Sequence, residues 1–145
     1  MQLEWLILAD SAQVAEGKLF LLGGGWDLLG VTHAFPVQKH LAIAASFLVA
    51  WDEMNRTHLI ELAVTDDAGH ELARSGGQVE VGRPAGVPLT HAQRHQVAVE
   101  ATVTFEHAGS YAIFARIGAE EAGRVPFSVI ALPGTPGAPP PGPAR

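Results

Sequence analysis

Two apolar runs, HLAIAASFLVAW and THLIELAVTD, lie between His40 and Asp66 on either side of a polar connector, Asp52, Glu53, Met54, Asn55 and Arg56. In the first run Leu41, Ile43, Phe47, Val49 and Trp51 share one parity. In the second, Ile60, Leu62 and Val64 alternate with Glu61, Ala63 and Thr65, as a strand with one buried face requires. A helix over residues 42–50 is disfavoured, because no polar face recurs at a spacing of about 3.6 and the run is rich in β-branched and aromatic residues. The two runs are therefore expected as strands, closed by the connector into an antiparallel hairpin.

The same alternation predicts strands elsewhere. Residues 3–9 carry apolar side chains on both parities. Glu16 and Gly17 form a tight turn into a strand over residues 18–22, and residues 31–39, broken by Pro36, form a connection. Asp66, Asp67, Ala68 and Gly69 make a turn into a short strand at 70–74, with another at 78–81 and a Pro/Gly-rich loop at 82–90. Residues 96–106 give the clearest alternation in the chain, followed by strands at 111–117 and 123–131. Short helical stretches are allowed at 11–16 and 92–94. Seven to nine strands with short turns predict an all-β fold, a two-layer antiparallel β-sandwich of immunoglobulin-like size.

The faces do not balance. Ala42, Ala44 and Leu48 stand opposite Phe47, and Leu6 and Leu8 repeat the problem in the first strand, so one sandwich core cannot bury both sets. The expected cover is either a second copy of the chain, with Leu6, Leu8, Ala42, Ala44 and Leu48 at the interface, or a loop containing residues 23–29. A homo-oligomer is the expectation.

Composition narrows the functions. The chain has 145 residues, 48% of them apolar, which suits one domain over residues 1–132. The last thirteen residues, 133–145, hold six prolines and no large apolar side chain, and are expected as a disordered tail. A net charge of −6 without a basic cluster argues against a nucleic-acid partner. No segment approaches the roughly 18 to 20 apolar residues of a membrane helix, and the N-terminus lacks the basic start of a leader, so a cytoplasmic protein without membrane partners is expected.

Candidate chemistry is sparse. No cysteine is present, which excludes thiolate nucleophiles and cysteine zinc sites. His91 and His95 lack the glutamate of a zinc-binding HExxH helix, and the acidic pairs Asp52-Glu53, Asp66-Asp67 and Glu120-Glu121 fall in turn-like positions. Gly23, Gly24 and Gly25 precede Trp26, Asp27 and Leu28 rather than the Lys-Ser/Thr of a phosphate loop, which points to a bulge or tight bend. No catalytic residue, metal or cofactor is predicted. Trp26 and Asp27 are the candidate ligand contacts should the chain bind a small molecule or glycan.

Three segments, LILADSAQVAEGKLFLLGGGWD, HLIELAVTDDAGHEL and GSYAIFARIGAEEAGRVPFSV, resemble the DUF6941-type family of small bacterial proteins of unknown function. The resemblance spans about residues 6 to 130 and rests on Asp10, Ala12, Lys18, the stretch from Gly23 to Asp27, Gly109, Tyr111, Pro126 and Phe127. It implies an all-β fold and brings no catalytic residue. The expected function is an interaction or structural module that self-associates, with a protein partner unspecified. A ligand-binding module is the alternative, and an enzyme assembled from distant residues a third.

Overall fold

The computed structural model describes residues 1–88, 90–137, 140, 142 and 143. Nine strands form among them: β1 (Gln2–Ala15), β2 (Lys18–Gly24), β3 (Leu28–Val31), β4 (Val37–Val49), β5 (Thr57–Asp66), β6 (Glu71–Glu80), β7 (Gln93–Phe105), β8 (Gly109–Ile117) and β9 (Glu120–Ala131). The front sheet has the order β2-β1-β4-β7 and the back sheet β3-β9-β8-β5-β6. All pairs are antiparallel except β3 with β9, which run parallel. The result is an all-β, two-sheet sandwich, as the alternation predicted, with one parallel edge that it did not.

The two central runs do not form a hairpin. β4 pairs with β1 and β7 in the front sheet, while β5 pairs with β6 and β8 in the back sheet. The connector, a 3-10 turn at Trp51–Glu53 followed by Asn55 in a left-handed conformation, carries the chain from one layer to the other. The runs instead face each other. Leu41, Ile43 and Phe47 meet Ile60, Leu62 and Val64 in one core that also takes Val103, Phe105, Ile113 and Phe127. β1-β4-β7 against β9-β8-β5-β6 is the immunoglobulin Greek key, A-B-E against G-F-C, with the fourth strand on the G-F-C side. At the start of β8 the Tyr111 hydroxyl donates to the His107 carbonyl at 2.6 Å, the tyrosine corner of that topology.

The front sheet explains the unbalanced faces. A bulge between Leu3 and Trp5 flips the phase of β1. Leu3 is therefore on the inner side before the bulge, and Leu6 and Leu8 are inner after it, opposite Ala45 and Ile43. Residues 2–9 of β1 pair with β4, whereas residues 9–15 pair with β2. The hairpin they form, turned by Glu16 and Gly17 at positive φ, rolls back across the outer side of the sheet. There the Ser11 hydroxyl and the Ala12 amide reach Glu100 of β7, and Gln96 of β7 donates to the Gly17 carbonyl. Beneath the hairpin lies a second core of small residues, Ala9, Ala12, Ala42 and Ala44, flanked by Trp5, Leu19, Leu21 and Ala98.

The residues expected at a subunit interface are thereby reassigned. Leu8 is buried in the main core, Leu6 packs against it, and Ala42 and Ala44 are fully covered by the chain's own hairpin. Leu6 and Leu48 stay half-buried, Leu6 on the inner side and Leu48 on the outer. The cover is β1 and β2 rather than the loop at 23–29, and residues 11–16, allowed as a helix, belong to it as strand and turn.

The tail begins with an anchor. Thr135 is buried, and its hydroxyl donates to the Val31 carbonyl at 2.9 Å. Residues 138, 139, 141, 144 and 145, which the expectation of a disordered tail includes, lie outside the described residues.

Candidate functional site at an open seam

β6 and β7 each end a sheet, and they lie on the same side of the sandwich. Register fixes which side chains face inward there. On β6, Ala73, Ser75 and Gly77 stand opposite Val64, Leu62 and Ile60; on β7, Val97, Val99 and Ala101 stand opposite Ala45, Ile43 and Leu41. One edge thus offers a row of valines and the other almost no side chain. A Cβ added at Gly77 would meet nothing within 4 Å.

The mismatch leaves the sandwich open along this seam. Two adjoining cavities, of about 270 and 240 Å³, share Leu62, Ser75 and Val99 as walls. Their floor is the core itself, Ile43, Ile60, Leu62 and Val64, and Val97 and Val99 remain half-exposed above it. Burial that stops part-way leaves apolar surface for another molecule to cover.

The rim is polar, and its charges are held in place. Glu100 accepts from the Ser11 hydroxyl at 2.6 Å and the Ala12 amide at 3.1 Å, and His40 lies 3.3 Å away. Those bonds, Ser11 first, lower the Glu100 pKa. Arg94 donates from Nε to Glu4 at 2.6 Å, and this bond, followed by one from Ser46, lowers the Glu4 pKa. On the β6 side Arg74 sits 3.6 Å from Glu61 and 3.5 Å from Glu71. His95 faces inward opposite Phe47 at one end of the seam, where desolvation lowers its pKa.

The candidate ligand contacts lie elsewhere. Trp26 packs edge-on against Phe127 at 5.7 Å between ring centroids, and its indole nitrogen is buried without a partner among the described residues. Asp27 is exposed, and its carbonyl accepts from the Ser128 amide at 2.8 Å. Trp26 is thus a core contact at the entry to β3, and neither it nor Asp27 lines the seam cavities. The glycines before it make a tight bend. Gly23 and Gly25 have positive φ, and a Cβ at Gly23 would strike the Asp10 carboxylate.

The remaining polar candidates serve local structure. Asp66 caps the amides of Ala68 and His70, Glu53 accepts from the Ala50 amide and the Met1 ammonium, and Glu121 holds Arg124. Among the described residues, no three His, Asp or Glu side chains are grouped as metal ligands. The seam, with an aliphatic floor and Ser75, Arg74 and Glu100 in its walls, can hold an apolar segment or an added strand. Sequence reading missed it because small residues at 73, 75 and 77 acquire meaning only once their opposite numbers on β7 are known.

The architecture defines a β-sandwich of immunoglobulin strand order, open between β6 and β7. The chain belongs to the DUF6941 family, described as a family of unknown function, whose model it matches over residues 4–130. No curated protein matches it.

Proposed function

We propose that this chain is a non-catalytic interaction module that takes an extended, apolar segment into the β6–β7 seam. The observation that carries the reading is the pairing of inner positions: Ala73, Ser75 and Gly77 on one edge against Val97, Val99 and Ala101 on the other, over an open core floor. Both strands end their sheets with unpaired backbone groups, so an incoming strand gains main-chain hydrogen bonds as well as apolar contact. Self-association and a cytoplasmic setting belong to the same proposal. A glycan site at Trp26 and Asp27 does not, because the indole is spent on Phe127.

The test uses the dye 1-anilinonaphthalene-8-sulfonate with the full chain at sub-micromolar concentration. Saturable fluorescence enhancement is expected for wild type. It should be lost in Gly77→Leu, whose side chain enters the open space, with thermal stability unchanged or raised. A dye signal that Gly77→Leu leaves intact removes the seam as the binding face.

A further inference from the structure

β7 is a thirteen-residue edge strand, QRHQVAVEATVTF, with neither lysine nor proline to guard it and an uncharged stretch from Gln96 to Val99 at its middle. Free edges of this length normally carry such guards, since unpaired backbone groups template the addition of another strand. β7 is also complementary to itself. Arg94 and Glu100 are both outward-facing, exposed and equally spaced from Val97. If β7 pairs antiparallel with its own copy about Val97, Arg94 falls opposite Glu100 of the partner subunit, and symmetry repeats the ion pair. Moving the centre by one residue sets Arg94 against Ala98 or Thr102 instead, and the charge match disappears. In the matched register the inner side is apolar at its middle, with Val97 against its own copy and His95 against Val99 of the partner subunit.

We infer that the occupant of the seam is strand β7 of a second copy of this chain, paired antiparallel to β7 about Val97. The inference rests on the seam reading above and names its partner. The added strand extends the front sheet, and its inward side chains lie over the strip that Ser75 and Gly77 leave uncovered. Arg94 donates to Glu4, and Glu100 accepts from Ser11 and Ala12, so both charges are ordered on the outer face before the copies meet and little side-chain freedom is lost on pairing. This surface is separate from the alanine face, which the chain covers itself.

Sedimentation velocity on the full chain, from sub-micromolar to about 100 μM, decides it. Wild type should pass from monomer to dimer over that range. Arg94→Glu and Glu100→Arg should each weaken the dimer at least about tenfold, because each sets like charges together twice. The double variant should recover the association even though it still lacks the bonds to Glu4 and Ser11, so recovery reports the intermolecular pairs rather than the fold. Circular dichroism confirms that each variant is folded. A wild type that stays monomeric at the highest concentration overturns the inference, as does a dimer indifferent to both single reversals or a double variant no tighter than the singles. The dye assay separates the two readings: a monomer whose signal Gly77→Leu abolishes keeps the seam and loses the self-pairing.

Discussion

Phe47 has no exposed surface and stands on the inner face of β4 near its C-terminal end, between Leu3 on one side and His95 on the other. Thr102, on the outward parity of β7 opposite His40, is exposed. Cutting Phe47 back to alanine leaves a cavity that two facing sheets cannot close, so Phe47→Ala should cost about 3 to 5 kcal/mol, against less than about 1 for Thr102→Ala. Urea unfolding of the two variants measures both, and comparable losses would mean that β7 has been placed in the wrong phase. The inner positions of β4 and β7 were legible because a period of two survives at any pairing. Trp26 was not, since its residue type suits a ligand platform and a core edge equally, and only its contact with Phe127 separates them.

At the scale of elements, the β1–β2 hairpin decides the fate of the alanine face. Ala44 lies under it with no exposed surface, among Ala9, Ala12, Ala42, Leu19 and Leu21. A carboxylate there would be buried among apolar side chains, so Ala44→Glu should destabilise the chain by about 4 kcal/mol or more and leave it unfolded or loosely folded at every concentration. Thermal melts monitored by circular dichroism, with sedimentation alongside, check this. A well-folded Ala44→Glu protein with a wild-type melting temperature would show that the hairpin does not lie on this face. Sequence alone supplied strands at 3–9 and 18–22 and the turn at Glu16 and Gly17, but not the run of β1 on to Ala15, β3, the bulge after Leu3 or the roll of the sheet. A bulge changes phase without changing composition, and which strand sits beside which is a long-range choice that local alternation does not encode. The supposed hairpin between β4 and β5 failed for the same reason, and so did the seam, which exists only as a relation between β6 and β7.

For the whole molecule, the open question is where the folded unit stops. β3 is an edge strand of four residues held by one parallel ladder to β9, a weak attachment by itself. The segment after β9 strengthens it. The Val31 carbonyl accepts both the Leu132 amide at 2.9 Å and the Thr135 hydroxyl at 2.9 Å, and the Leu132 side chain packs 3.1 Å from where a Cβ on Gly30 would stand. The first residues past β9 therefore act as a clasp on β3, and the proposed boundary of the folded unit moves from Leu132 to about Gly137. A chain ended after Gly137 should melt with the full-length protein. One ended after Leu132 loses a buried hydrogen bond of about 1 kcal/mol, which for a domain of this size lowers the melting temperature by roughly 2 to 4 °C. Hydrogen exchange should localise the loss, with the amides of β3 exchanging faster in the shorter chain while those of β4, β5 and β8 keep their protection. Identical melting and exchange in the two truncations would show that Thr135 holds nothing and return the boundary to Leu132.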